Sequence, residues 1–366
     1  MTGHRGTTLT TQSEMLASLE PQDREMRLLV SHTEPFPRTP GTVARLAAVI
    51  TTVLVLGIHW SFAGEPSGAR RIGYLTMDSA ALHKPFARAF SDGLREVGYI
   101  AGQNVTIVWR FAANDPNVLP HLSAELVDAR VDVLVVDGTQ AAIAAKRATG
   151  IIPIVFVVAA DPVGSGLVDS LARPGGNITG LTLISQDLIG KRLAVLKEMM
   201  PRIRRVGVVV NPDNPTCEFQ FREAQAVAPS LELELDSISV RRPEEIKRVF
   251  QPFAGRVDAL LLTGDVMLDG ARTRIGAFAI KNRLPSICSY RMPEDKTCLM
   301  WYGPDLLQMF RRAASYVGRI LNGTKPADLP VEQPARLTLV INGKTASALK
   351  IVIPQSLRVA ADEIIP

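Results

Sequence analysis

Three cysteines in 366 residues are too few for a disulfide framework. They stand at Cys217, Cys288 and Cys298 and form no C-x-x-C pair, so zinc-ribbon and thioredoxin-type sites are excluded. If the strands carrying Cys288 and Cys298 are neighbours, those two can pair and leave Cys217 free; the spacing alone leaves the pairing open. Histidine is as scarce: of five, three precede residue 64, leaving His83 and His121 for the rest of the chain. No G-x-S-x-G elbow, no H-E-x-x-H helix and no clustered His/Cys/carboxylate ligand set occurs, which removes the common hydrolase and metalloprotease signatures. Gly343-Lys344-Thr345 resembles the end of a phosphate-binding loop, but the position that needs the first glycine holds Thr338. No run of five or six Lys or Arg appears, and the formal charge of +5 is spread thinly, so nucleic acid is not an expected partner.

Long apolar runs are missing too. The longest candidate, residues 46–58, has 13 residues, short of the ~20 that span a bilayer. It follows Arg38 and Arg45 and precedes Ser61-Phe62-Ala63, a small-x-small pattern, and so fits the h-region and cleavage site of a secretory signal. Residues 1–63 are therefore read as an N-terminal extension and signal peptide cleaved near Ala63, with a retained anchor as the alternative. Met26 would give a more usual signal length. Either way the folded part is expected outside the cytoplasmic membrane, in the periplasm.

What the chain does have is a repeat. Arg71-Ile72-Gly73-Tyr74-Leu75 returns as Arg205-Val206-Gly207-Val208-Val209, Val131-Asp132-Val133-Leu134-Val135 as Val257-Asp258-Ala259-Leu260-Leu261, and Ile152-Pro153-Ile154-Val155 as Leu284-Pro285-Ser286-Ile287. The offsets of 134, 126 and 132 residues keep one order at nearly one spacing, which predicts two α/β domains of similar topology. Periodicity supplies strands at 71–75, 105–110, 131–136, 151–158 and 178–183, then at 205–210, 231–237, 258–262, 285–290 and 298–302. Helices are expected between them, among them 85–99, 119–129, 139–149, 163–172, 188–200, 217–228, 244–253 and 272–282. Such alternation implies parallel sheets with right-handed crossovers. The boundaries are 70–182 for lobe 1, 183–303 for lobe 2, and 304–366 for a return segment carrying a helix at 305–322. That segment is expected to pack on lobe 1 and to add chain crossings.

In open parallel sheets ligands bind beyond the carboxyl ends of the strands. Those ends carry Asp78, Ser79, Thr139, Gln140 and Asp161 in the first half and Asn211, Asn214, Asp265 and Tyr290 in the second. Most precede a helix, so exposed amides join the site and favour an anionic group, while Asp161 and Asp265 suit an ammonium. Each residue taken singly also has the chemistry of a helix cap. Catalysis lacks a nucleophile and base, and no cofactor or metal is implied.

Several stretches carry a resemblance: 71–75; Gly93-Leu94-Arg95-Glu96-Val97-Gly98-Tyr99 with Gly102-Gln103-Asn104; Ile152-Pro153-Ile154-Val155-Phe156 with Asp161-Pro162-Val163-Gly164; and above all Leu171-Ala172-Arg173-Pro174-Gly175-Gly176-Asn177-Ile178-Thr179-Gly180-Leu181. Gly190-Lys191-Arg192-Leu193, Tyr302-Gly303-Pro304-Asp305 and Leu329-Pro330-Val331-Glu332-Gln333-Pro334 extend it over roughly 70–364. Together they resemble the substrate-binding proteins of ABC transporters. The resemblance implies the type 1 periplasmic binding protein fold: two Rossmann-like lobes with parallel sheets, joined by a multi-crossing hinge near Leu181-Thr182-Leu183, Tyr302-Gly303-Pro304 and 332–336. It implies a monomeric, non-enzymatic receptor that binds a small polar or amino-acid-like solute between its lobes and passes it to an ABC permease in the cytoplasmic membrane. A receptor domain presenting the solute to a signalling partner would use the same cleft. Residues 292–298 depart from the aromatic and glycine-rich turn usual in the family, so the resemblance does not extend to ligand identity.

Overall fold

The repeat in the sequence is a repeat in topology. The computed structural model describes residues 69–183, 186–293 and 295–366, with the backbone alone for 186 and 187; the signal-peptide reading lies outside the described residues. Lobe 1 contains β1 (Arg70–Thr76), α1 (Ala80–Glu96), β2 (Val105–Phe111), α2 (Leu119–Asp128), β3 (Val133–Asp137), α3 (Thr139–Ala148), β4 (Ile154–Ala159) and β5 (Ile178–Thr182). Its sheet is parallel throughout, in the order β2-β1-β3-β4-β5. Every residue of β3 and β4 is buried, because helices cover both faces of the sheet.

Lobe 2 begins with α4 (Gln186–Met199) and continues through β6 (Arg205–Val210), α5 (Pro215–Val227), β7 (Glu234–Ser239), α6 (Ile246–Phe250), β8 (Ala259–Leu262), α7 (Val266–Lys281), β9 (Ser286–Cys288) and β10 (Met300–Pro304). The order β7-β6-β8-β9-β10 reproduces that of lobe 1 strand for strand. The repeated sequence landmarks fall on β1 and β6, on β3 and β8, and on β4 and β9.

The return segment divides between the lobes. Helix α8 (Leu306–Leu321) packs on α1 of lobe 1, setting Phe310, Ala313 and Val317 among Phe86, Phe90 and Leu94. The chain then passes back, and β11 (Leu337–Asn342) and β12 (Glu363–Ile365) extend the sheet of lobe 2 beyond β10, β11 running antiparallel to it. Between them lie α9 (Gly343–Leu349) and α10 (Gln355–Ala360). The sequence reading sent the whole tail to lobe 1. It erred because β10 is the last strand of the repeat yet not an edge: its hydrogen-bonding side stays open until β11 covers it.

Three passages of chain therefore join the lobes, after β5, after β10 and before β11. At the third, the Thr182 N–H donates to the Glu332 carbonyl (2.9 Å) and the Glu332 N–H to the Gly180 carbonyl (3.0 Å), so the first and third passages run side by side. Glycine makes two approaches possible. A Cβ on Gly180 would sit 1.9 Å from the Phe156 carbonyl oxygen, and one on Gly303 would sit 1.9 Å from that of Ser289.

Two expected helices differ. Residues 163–172 form turns, because Gly164 and a left-handed Gly166 (φ 68°) interrupt the run and only Leu167 and Val168 bury apolar side chains there. Helix 244–253 shrinks to α6 flanked by 3-10 turns, with Pro243 and Pro252 in those turns.

Cys288 and Cys298 form a disulfide across ten residues, and Cys217 is free and buried. Closing so short a loop stabilises by about 2–3 kcal/mol through the unfolded chain. Cys288→Ser/Cys298→Ser protein should lose about that much unfolding free energy in urea. Thiol titration of the denatured wild-type protein should count one reactive group before reduction and three after; three before reduction would refute the bridge.

Candidate functional site

Both sheets present their strand carboxyl ends to one seam, and the loops there line a nearly closed cleft with a cavity of about 20 Å³. Met77, Thr139, Gln140 and Leu183 are on the lobe 1 wall; Asn214, Thr216, Asp265 and Tyr290 are on the other. The walls touch. The Gln140 side-chain amide donates to the Asp213 carbonyl of the opposite lobe (2.8 Å), and Gly138 faces Val266.

On the lobe 2 wall three predicted residues form one unit. The Asp265 carboxylate accepts from the Leu268 N–H (2.8 Å), capping α7, and from the side-chain amides of Asn211 (3.1 Å) and Asn214 (2.9 Å). Asn214 in turn caps α5 through the Thr216 N–H (3.2 Å) and hydroxyl (2.7 Å). Burial pushes the Asp265 carboxyl up, and the hydrogen bonds from Asn214, Leu268 and Asn211 oppose that rise. Parallel β6 and β8 are adjacent, so the loops that follow them converge and bring Asn211 to Asp265 across 54 residues of chain.

Tyr290 lines the cleft, and its hydroxyl donates to Asp269 (2.6 Å). Asp269 also pairs with Arg272 (2.6 Å), whose guanidinium lies 4.9 Å above the Tyr290 ring and donates to the Tyr290 carbonyl (2.5 Å). Burial pushes the Asp269 carboxyl up to about 7 against the pull of Arg272 and Tyr290. Sequence reading missed both residues because it began this helix at 272. Taking Asp265 as the N-cap would have started α7 at Val266 and set Asp265, Asp269 and Arg272 on one stripe.

On the lobe 1 wall, Thr139 Oγ1 accepts from the Ala160 N–H (3.1 Å), tying the start of α3 to the end of β4. Gly138 precedes α3 and supplies no capping side chain, so the first-turn amides of α3 are left to whatever occupies the cleft. Three predicted residues are placed otherwise. Ser79 caps α1. Asp78 is buried beside His83 behind the wall (3.2 Å). Asp161 turns back on its own loop, with φ at 44° and its carboxylate accepting from the Gly164 N–H (2.8 Å). Ser79 and Asp161 thus carry out the capping and turn chemistry that their residue types also permit.

Two lobes of one topology, three connecting passages and a polar cleft at facing strand ends define a two-lobed solute-binding protein. The chain belongs to the ABC transporter substrate-binding protein family, whose model matches residues 79–365. It is 26% identical over 262 residues to a tyrosine-binding protein of Clostridioides difficile, covering 72% of this chain and 75% of that one. Among solved structures it is similar to the ABC domain from Streptococcus pneumonia in complex with L-Trp (TM-score 0.76, 26% identity, 81% of this chain and 100% of that one). A conserved domain protein from Vibrio cholerae O1 biovar El Tor is similar too (TM-score 0.77, 26% identity, 81% and 99%). The architecture is that of type 1 periplasmic binding proteins, and the family is one of binders, not enzymes. Among the described residues no helix is long and apolar enough to cross a membrane.

The two predicted acidic ligand contacts should now separate in stability. Asp265→Ala removes a cap and strands two buried amides, and should cost about 2–4 kcal/mol in urea unfolding. Asp161→Ala removes one turn-closing hydrogen bond and should cost about 1 kcal/mol or less. Equal losses would contradict the roles assigned to these carboxylates.

Proposed function

We propose that this protein is the extracytoplasmic solute receptor of an ABC importer and that its solute is amino-acid-like. The observation that carries the reading is the pairing of opposite polar ends in one cleft. The Asp265 carboxylate on one wall suits an ammonium, and the uncapped amides at the start of α3 on the other suit a carboxylate. Met77, Val158, Leu183 and Tyr290 supply an apolar lining, which a solute side chain would meet once the lobes part. The names of the relatives, a tyrosine-binding protein and a complex with L-Trp, support an aromatic amino acid as the first solute to try.

Of the nine residues expected at the site, Thr139, Gln140, Asn214, Asp265 and Tyr290 are proposed as contacts, with Asn211 holding Asp265 in place. A solute enters only when the Gln140 to Asp213 bond breaks and the lobes part. It is then held by both walls as they close. The apolar run at 46–58 and Ser61-Phe62-Ala63 support export with cleavage near Ala63; membership of the family supports delivery to a permease, and the receptor is proposed to act as a monomer.

Calorimetry should detect L-Tyr, L-Trp or L-Phe binding, and Asp265→Asn should weaken it ten- to a hundredfold, the loss of about 1.5–3 kcal/mol for a charge-assisted hydrogen bond. Tyramine, lacking the carboxylate, and 3-(4-hydroxyphenyl)propionate, lacking the ammonium, should bind far more weakly than tyrosine. Equal binding of all three would overturn the two-ended site. Solution scattering should give a smaller radius of gyration at saturation; an unchanged radius with solute bound would refute closure.

A further inference from the structure

Behind the lobe 1 wall lies a second polar cluster that solute binding does not use. Parallel β1 and β3 are adjacent with Thr76 opposite Asp137, so Asp137 and Asp78 emerge at one sheet end, and the first turns of α1 lay His83 over them. His83 Nδ1 is 3.2 Å from Asp78 Oδ2 and 3.6 Å from Asp137 Oδ2. The three side chains are 0%, 3% and 4% exposed, and the rings of Tyr74, Phe86 and Phe310 surround the imidazole.

The protein satisfies this cluster incompletely. The Thr76 hydroxyl donates to Asp137 Oδ2 (3.0 Å), and the one hydrogen that Nδ1 can carry must serve two carboxylates. Asp78 Oδ1 and Asp137 Oδ1 are buried and have no hydrogen-bond partner among the described residues. Across the seam Asp269 adds negative charge, and Arg272 is engaged with Asp269 and Asp295. Burial raises both carboxyl pKa values, as expected where positive charge is lacking. Isolated buried carboxylates cost several kcal/mol each unless a cation joins them.

The spacing fits a small cation. Donors bound tetrahedrally at about 2.0–2.1 Å are about 3.3–3.4 Å apart, and the observed 3.2 and 3.6 Å bracket that edge. The Thr76 hydroxyl is placed to orient Asp137 from outside. Met77, the chain neighbour of Asp78, lines the cleft, so the cluster lies directly behind the lobe 1 wall. We propose that Asp78, His83 and Asp137 bind one divalent transition-metal ion of the zinc class, at a site separate from the solute contacts. With the ion on Nδ1, the ring hydrogen sits on Nε2.

The test uses the purified protein, stripped with a chelator and titrated near pH 7.5 with Zn²⁺ and Mg²⁺, followed by calorimetry and metal analysis after gel filtration. One Zn²⁺ per chain is expected, with a higher thermal midpoint, and no measurable Mg²⁺. Asp78→Asn and His83→Leu should each weaken zinc binding at least a hundredfold. His83→Leu places an apolar side chain among aromatic rings, and its melt checks folding. His121→Ala, which removes the exposed His121 to Glu125 pair, should retain the site. Co²⁺ should give the intense visible absorption of tetrahedral coordination. The proposal fails if folded wild-type protein takes up no stoichiometric zinc. It fails equally if the Asp78 and His83 variants bind zinc as wild type does, or if stability responds to pH alone and never to metal, which would assign the balancing charge to protons.

Discussion

Carboxylates buried where the two sheets face each other set the terms for everything around them. Asp78, Asp137 and Asp265 are 2–3% exposed, and the Asp269 side chain is 5% exposed. Each needs compensation, and lobe 2 supplies it in two forms. Asp265 is held by neutral amides and a helix start at the cleft lining. Asp269 is neutralised by Arg272 and tied to Tyr290. In lobe 1, Asp78 and Asp137 share a single imidazole, and the balance stays incomplete.

The concentration of acid in one seam follows from topology. A parallel sheet sends all its strand ends in one direction, and each end leads into a helix whose first turn favours Ser, Asn or Asp as a cap. Two such sheets set end to end double the density of caps and amides. The chain crosses between the lobes in three passages, with close backbone contacts at Gly180 and Gly303. The first and third passages are hydrogen-bonded to each other through Glu332, so they can act as one strap.

Much of this was legible in the sequence and some was not, for identifiable reasons. The repeated motifs disclosed the paired topology, because buried parallel strands leave continuous apolar runs. Reading the loops that follow those strands picked out Thr139, Gln140, Asn214, Asp265 and Tyr290, all of which line the cleft. Asp161 misled, since a turn-closing aspartate and a ligand-binding one look alike until φ and the Gly164 N–H are seen. Asp137 and His83 were hidden because an acid ending an apolar strand and a histidine on a helix show no spacing that announces contact across 54 residues. The splitting of the C-terminal tail was invisible because nothing local says which sheet edge an added strand will cover.

The segment that departs from the family pattern now has a physical role. Residues 289–297 are bracketed by the Cys288 to Cys298 disulfide, and inside that loop Asp295 accepts from Trp301 Nε1 (2.9 Å) and from the Thr297 N–H (2.9 Å) and hydroxyl (2.8 Å). Asp295 lies 3.5 Å from Arg272, and Arg272 stacks over the Tyr290 ring while pairing with Asp269. The cross-link therefore ties together the two ends of this irregular stretch of the lobe 2 wall. A change of solute preference within the family would act most directly here, because shortening or reshaping this loop moves Asp295, then Arg272, then the tyrosine ring that faces the cleft. The cap network of Asp265, Asn211 and Asn214 is anchored in the loops after β6 and β8 and would stay in place, so the two parts of this wall can change independently.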